Sequence, residues 1–255
     1  MSRFIVGATW DDAPHLGEAA KQALWASYPP NMRDARTKGI PQLGAGAIYP
    51  VAESEIVVKN FAIPKHFRRA YGMDAGGGAK PTAACFGALD PDAGVLYIHD
   101  VYKRESSEPV VHAEAVKARG AWLPGVGDCA ALIMTAHDAE QLIRTYRRLG
   151  LDLELPDKAV ETGIFDTWTL MSTGRLKVFA SCRAWFDEFR LYRRNEKGRI
   201  VKANDHIMDA MRYLVRSGLK RAIAEPIVPE TVDPAARWGF GGGGGGAGAL
   251  EWMGR

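Results

Sequence analysis

The 255-residue sequence lacks the features of a membrane protein, a secreted protein or a zinc-knuckle protein. No apolar run approaches the roughly 18–20 residues that a membrane-spanning helix needs. The first residues have no basic segment followed by an apolar one, so no secretory signal is expected. The three cysteines, Cys85, Cys129 and Cys182, are far apart and form no C-x-x-C pair. This argues against a disulfide framework and a zinc site and favours a reducing, cytoplasmic setting.

An excess of one charge is also missing, because 33 Lys and Arg stand against 30 Asp and Glu, a net charge of +3. That value is too small to indicate a polyanionic partner by itself. Its distribution is more informative, since residues 175–202 hold nine basic and three acidic residues with aromatic residues among them. Such a stretch could bind phosphates, although a solvated helix face is the commoner cause of charge runs.

The composition divides the chain into three regions. Residues 1–52 contain a short helical pattern and then a Gly- and Pro-punctuated segment, which predicts an irregular strap. Residues 53–222 alternate strand-like and helix-like patterns. Residues 223–255 are rich in Pro and Gly and predict a flexible tail. The Gly241–Gly246 run is not a phosphate loop, because no Lys-Ser or Lys-Thr follows it.

The middle region predicts five strands, a β-hairpin and several helices. The strands are expected at 69–73, 82–89, 95–102, 122–127 and 151–155, and the added hairpin has its tip at 195–198. Helices are expected at 107–119, 138–149, 158–172, 182–190 and 205–220. Hairpin-linked strands followed by strand–helix–strand units indicate a mixed α/β sheet with helices on its faces.

Two of these strands end in an aspartate. Asp74 follows Tyr-Gly-Met and Asp128 follows Pro-Gly-Val-Gly, so small residues leave room around both carboxylates. If the two strands are neighbours, the carboxylates would lie close enough to share a divalent cation. Oxygen ligands of this kind suit Mg²⁺ or Mn²⁺ better than Zn²⁺. The simpler interpretation is that each aspartate only begins a turn.

A third group of polar residues lies on the last predicted helix. Its apolar stripe leaves Asp205, Asp209 and Arg216 on the opposite side, and His206 stands three residues before Asp209. The face opposite a core stripe is usually exposed to water. Asp205 could serve only as an N-cap, and His206 could be an ordinary surface histidine.

Together these motifs resemble the nuclease domain of the large terminase subunit of tailed bacteriophages. The matching motifs are Gly-Met-Asp74, Gly-Asp128, Lys202-x-Asn-Asp-His-x-x-Asp209-Ala-x-Arg-Tyr, Glu161-Thr-Gly-Ile and Thr173-Gly-Arg-Leu-Lys-Val. Residues 8–16, 29–36 and 38–44 are similar to the segment that links the packaging ATPase to the nuclease in that family. The resemblance implies an RNase H-like fold: a mixed five-stranded sheet of antiparallel hairpin strands and parallel strands, flanked by helices, with an added β-hairpin. It covers the chain to about residue 222.

The resemblance also implies a catalytic site. Asp74, Asp128 and Asp209 match the metal-binding acids, His206 matches a histidine beside them, and Asp205 competes with Asp209 as the third ligand. Two Mg²⁺ or Mn²⁺ ions would then support hydrolysis of double-stranded DNA with little sequence preference. The expected DNA contacts are Lys202, Arg193, Arg194, Lys197 and Arg199.

The sequence departs from that family in having no Gly-x-x-x-x-Gly-Lys-Ser/Thr motif. We therefore expect an excised or truncated nuclease domain without ATPase activity: a linker remnant at 1–52, the nuclease at 53–222 and a tail at 223–255. By resemblance, its partners would be the portal protein, the small terminase subunit and the ATPase domain, in the cytoplasm of the bacterial host. The isolated domain is expected to be a monomer, because ring assembly in the family depends on the ATPase and the portal.

Two other functions remain open at this stage. An RNase H-like resolvase or transposase-type nuclease would share the fold, but it has no reason to carry the linker motifs. A non-catalytic module that docks on the portal and guides DNA would have no need of the acids.

Overall fold

A computed structural model describes residues 9–27, 37, 46–76, 80–105, 107–128 and 136–227, without the side chains of Asp11 and of residues 136–140. Cys129, the motif at 29–36, the segment 38–44 and the Gly-rich tail lie outside the described residues, apart from the first residues of the tail. Residues 1–225 form one compact unit and 226–255 a second, of which only 226 and 227 are described. The division at residues 52 and 222 stays a prediction. Within the described ranges no helix is long and apolar enough to cross a bilayer.

The five predicted strands and the predicted helices are present in their predicted order, together with elements that the sequence pattern did not predict. The strands are β1 (Val57–Val58), β2 (Arg68–Asp74), β3 (Thr82–Asp90), β4 (Val95–Arg104), β5 (Pro124–Asp128), β6 (Asp152–Glu154) and β7 (Leu176–Phe179). The helices are α1 (Glu18–Ser27), α2 (Glu53–Ile56), α3 (Pro109–Lys117), α4 (Ala136–Arg148), α5 (Val160–Ser172), α6 (Arg183–Leu191), α7 (His206–Tyr213) and α8 (Leu219–Arg221). A π-helical segment, Leu214–Gly218, joins α7 to α8, and Trp10–Asp12 forms a 3-10 turn.

The strands form one mixed sheet in the order β1-β7-β4-β3-β2-β5-β6. The β2–β3 and β3–β4 pairs are antiparallel, and the other pairs are parallel. The predicted mixed α/β class is therefore confirmed, but the expected number of five strands is wrong. The sequence pattern missed β1, which is only two residues long, and β7, where Lys177 interrupts a short apolar run. The predicted hairpin is present as a bridge between Arg194 and Ile200.

Helices cover both faces of the sheet because successive strand residues point to opposite sides. On β2, Ala70 packs in the cluster formed with α5, α6 and α7, whereas Tyr71 and Met73 pack in the cluster formed with α3 and α4. The first cluster includes the fully buried Trp185, whose indole N–H donates to Met211 Sδ at 3.3 Å. The sheet is thus buried between two layers of helices, and polar residues lie at the ends of several strands.

A glycine on β2 lets α7 lie directly against the sheet. A Cβ atom on Gly72 would lie 2.0 Å from the carbonyl oxygen of Ala210 and 2.7 Å from the amide nitrogen of Leu214. Any larger residue would therefore collide with the helix backbone, which cannot move like a flexible side chain. This close approach brings the N-terminal turn of α7 to the end of β2.

Candidate active site

Asp74 and Asp128 lie side by side at one edge of the sheet. They are the last residues of β2 and β5, which are parallel, and the register pairs them directly. The Ala75 N–H donates to the Asp128 carbonyl oxygen at 2.8 Å and so continues the pairing by one bond. Both aspartates are almost fully buried. The neighbouring strands on which the sequence argument depended are therefore present.

Helix α7 brings the second pair of acids to the same place. Asp205 directly precedes the helix and Asp209 lies in its first turn, and both are buried. The simpler alternative, that this face is only exposed to water, does not hold for these two residues. Asp209 Oδ1 accepts from the Arg212 guanidinium at 2.9 Å, and its Oδ2 accepts from Lys202 Nζ at 3.0 Å.

His206 connects the helix to the strand. Its Nδ1 lies 2.8 Å from Asp74 Oδ2, within hydrogen-bond distance. Burial raises the pKa of the Asp74 carboxyl, with the hydrogen bond to His206 acting in the opposite direction. The same hydrogen bond raises the pKa of His206, although burial opposes it. Both groups therefore hold a proton more firmly than isolated side chains do.

The acids line one cleft of about 640 Å³. Its walls are formed by Asp74, Lys80, Pro81, Asp128, Lys202, Ala203, Asn204, Asp205, His206, Asp209 and Tyr213. As the side chains stand, no three His, Cys, Asp or Glu residues among those described are gathered closely enough to hold a metal ion. The acids therefore share a cleft, but their side chains are not arranged as a complete metal-coordination site.

Lysine side chains form ion pairs with three of these carboxylates. Lys158 Nζ lies 2.7 Å from Asp128 Oδ1, and Lys202 Nζ lies 3.0 Å from both Asp205 Oδ2 and Asp209 Oδ2. Burial disfavours the charged form of Lys202, but Asp209 and Asp205 together raise its pKa. Both lysine side chains are more than half exposed, and such pairs are worth at most about 1 kcal/mol. The two lysine partners are thus replaceable, and a donor set made of carboxylate oxygens fits Mg²⁺ or Mn²⁺.

Several residues of this region escaped the sequence argument. Lys80 lies in the cleft wall, Lys158 pairs with Asp128, and the Tyr213 hydroxyl donates to Asp128 Oδ2 at 3.3 Å. Tyr213 ends the motif on α7, so its position there was the only signal. Lys80 and Lys158 stand in loops, where no periodic pattern marks a residue as facing a site.

Glu188 was also missed, because it lies within the basic stretch. It is buried on α6, and its Oε2 accepts from the backbone N–H groups of Ile207 at 2.6 Å and Met208 at 3.3 Å. Its Oε1 accepts from Lys103 Nζ at 2.7 Å. The carboxylate therefore caps the N-terminus of α7 from another helix, where a negative charge also suits the helix dipole.

We expect Glu188→Ala to lower the free energy of unfolding by roughly 1–3 kcal/mol, because it leaves buried N–H groups and Lys103 without their acceptor. Burial raises the pKa of Glu188, despite its bond to Lys103. Because the pKa of Glu188 is higher in the folded than in the unfolded state, its protonation stabilises the fold. This stabilisation is present at low pH and is lost as pH rises through the folded pKa. Glu188→Gln, which cannot ionise, should therefore gain stability relative to wild type as pH rises. Urea unfolding from pH 4 to 7 measures this difference, and a difference independent of pH would contradict it.

The expected DNA-contacting residues fall into different environments. Arg194 donates to Glu161 at 2.6 and 3.1 Å and to the Gly198 carbonyl oxygen, so it ties the hairpin to α5. Lys197 and Arg199 are exposed and Arg193 is half-buried. Lys202 stands apart from them in the cleft. The hairpin therefore offers Lys197 and Arg199 most openly to a ligand.

Comparison with known proteins shows the family to which the chain belongs. A family model described as "Terminase RNaseH-like domain" matches residues 71–217. The large terminase subunits of Enterobacteria phage LP7 and Salmonella phage P22 are each 37% identical over 222 residues, 83% of this chain. The matches cover 46% and 44% of those proteins, so the chain spans less than half the length of these curated relatives.

Solved structures give the same assignment. The nuclease domain of the P22 large terminase superposes with a TM-score of 0.65 at 34% identity, covering 71% of this chain and 96% of that one. The large terminase of a thermophilic bacteriophage, in complex with ADP, superposes with a TM-score of 0.59 at 22% identity, covering 82% of this chain and 54% of that one, and it supports the fold alone. The resemblance inferred from the sequence motifs is confirmed, and the chain belongs to the terminase RNase H-like domain family.

Proposed function

We propose that this chain is a metal-dependent endonuclease that cuts double-stranded DNA during phage genome packaging. The observation that carries the proposal is the single cleft lined by Asp74, Asp128 and Asp209. These acids come from two adjacent strand ends and one helix, and this arrangement has no role in the apolar core. Burying several carboxylates together is costly, so a structural role alone does not account for it.

In this proposal Asp74, Asp128 and a third aspartate hold two divalent cations. Asp209 is the preferred third ligand, and Asp205 is the alternative to it. When bound, such ions would activate a water molecule and stabilise the leaving 3′-oxygen during attack on the phosphorus. His206 holds the Asp74 carboxylate in place through its 2.8 Å contact. In this proposal Lys202, whose side chain is more than half exposed at the cleft, contacts the scissile phosphate.

DNA would be held through its backbone. Lys197 and Arg199 are exposed cations on the hairpin that would contact phosphates, and Arg194 ties the hairpin to α5 through Glu161. Contacts of this kind fix position and carry little sequence information. We therefore propose cleavage with little sequence preference and marked sensitivity to salt.

The wider packaging role follows from the relatives and is part of the same proposal. The chain would act beside an ATPase domain, a small terminase subunit and a portal protein in the host cytoplasm. The 255 residues contain no Gly-x-x-x-x-Gly-Lys-Ser/Thr motif, and we propose no ATPase activity for this chain.

Metal removal tests the proposal directly. We expect supercoiled plasmid to be nicked and linearised in Mn²⁺ or Mg²⁺, and to stay intact when EDTA replaces the metal, because the buried acids cannot act without their cations. Adding Mn²⁺ back should restore cleavage, which separates loss of metal from loss of fold. Cleavage that persists in EDTA would contradict the proposal, and cleavage confined to four-way junctions would favour a resolvase.

A further inference from the structure

Asp128 has a partner on each carboxylate oxygen, and the two partners differ in how easily they can leave. Lys158 Nζ lies 2.7 Å from Oδ1, and the Tyr213 hydroxyl lies 3.3 Å from Oδ2. Tyr213 is buried, whereas the Lys158 side chain is 52% exposed. An exposed ammonium regains its hydration when it leaves a carboxylate, so Lys158 can be displaced at little cost.

The loop that carries Lys158 is held firmly even though the side chain is not. The Asp157 N–H donates to Ser217 Oγ at 2.9 Å, and Arg216 Nε donates to Asp157 Oδ2 at 2.9 Å. Ser217 and Arg216 lie in the π-helical segment that continues α7, the helix of Asp209. The backbone next to Lys158 is therefore held beside the acids, whereas the exposed ammonium can change its partner.

A divalent cation and an ammonium group cannot comfortably share one carboxylate oxygen, because like charges repel at contact distance. We propose that Lys158 is an exchangeable counterion of Asp128, whose ammonium neutralises the carboxylate until a divalent cation binds there and then contacts a DNA phosphate. The inference rests on the proposed function. It adds a residue outside the motifs that identified the family.

Two consequences distinguish this role from that of an ordinary surface ion pair. Lys158 competes with the metal, so Lys158→Ala should bind Mn²⁺ about two- to fivefold more tightly than wild type in the absence of DNA. Lys158 adds a phosphate contact only after displacement. Its removal should therefore reduce the slope of log K for DNA binding against log salt concentration by about 0.9 in magnitude, which corresponds to one phosphate contact. We expect this reduction with metal present and no reduction in EDTA.

The experiment uses the full chain and three variants. Mn²⁺ binding is measured by calorimetry, and binding of a 30-base-pair duplex by fluorescence anisotropy at several salt concentrations, in Ca²⁺ or EDTA, with the duplex checked on a gel to be intact. Lys158→Arg keeps the cation and should retain wild-type behaviour. Lys117→Ala is the control, because Lys117 pairs at 2.6 Å with Glu114 on α3, whereas Lys158 pairs with Asp128 of the cleft.

The outcomes separate the two proposals. Tighter Mn²⁺ binding and a reduced salt dependence in Lys158→Ala alone support the exchange. Saturable Mn²⁺ binding of equal affinity in wild type and Lys158→Ala, or equal salt dependence in Ca²⁺, would overturn it and leave the nuclease proposal intact. Absence of saturable Mn²⁺ binding in the wild-type chain would refute the proposed function itself.

Discussion

Asp74→Asn and Asp128→Asn are each expected to lower the rate of plasmid cleavage by roughly 10³-fold or more. Asparagine has the same size as aspartate but no negative charge, so each variant loses the charge that holds the cations and keeps the packing at the strand ends. Both residues end paired strands whose backbone hydrogen bonds do not depend on the side chain. Cleavage rates measured in Mn²⁺, with thermal unfolding recorded beside them, test this expectation.

Asp92→Asn is the matched control, because the Asp92 side chain is 88% exposed and lies outside the cleft. Its cleavage rate should equal that of wild type. Asp209→Asn is less clean, since it removes the partner of the buried Arg212, and breaking a buried pair costs about 3–5 kcal/mol. Wild-type cleavage by both Asp74→Asn and Asp128→Asn would refute the assignment of the site.

Gly72→Ala is expected to lower the free energy of unfolding by about 3 kcal/mol or more. Its Cβ atom would lie 2.0 Å from a backbone oxygen of α7, so the helix itself must move away from β2. That movement would separate Asp209 from Asp74, and cleavage should fall even in the fraction of protein that stays folded. Urea unfolding and cleavage rates at a temperature where the variant is folded measure the two effects.

Gly17→Ala is the control for the added methyl group, because a Cβ atom there meets nothing within 4 Å. Its free energy of unfolding should stay within about 0.5 kcal/mol of wild type, as for an ordinary surface change. A Gly72→Ala variant as stable and active as Gly17→Ala would show that the contact between α7 and the sheet is not as close as described.

The architecture was predicted well wherever a hydrophobic pattern extended over a full strand or over more than one helical turn. The strands ending at Asp74 and Asp128 carry runs of small and apolar residues, so their existence and their ends were readable. The two-residue β1 and the four-residue β7 are too short for periodicity to distinguish from loop, and they were missed. Pairing of β7 with β4 is a long-range contact that no local pattern records.

The site was predicted in part, and the missing part has a common physical cause. Helical periodicity places Asp205 and Asp209 opposite the core stripe, but it does not show that the strand ends and nearby loops cover that side. The partners Lys158 and Glu188 come from distant segments and meet the site only through the fold. Sequence reasoning identified acids by their motif, whereas their counterions and caps required the three-dimensional arrangement.

The central claim is that Asp74, Asp128 and Asp209 hold divalent cations in one cleft. Anomalous diffraction from crystals grown with Mn²⁺ measures this directly, because manganese positions are seen independently of the protein atoms. We predict two manganese peaks bound by oxygens of these three carboxylates, with Lys158 displaced from Asp128. Crystals in millimolar Mn²⁺ that show no peak in the cleft, with Lys158 still on Asp128 and Lys202 still on Asp209, would contradict the account.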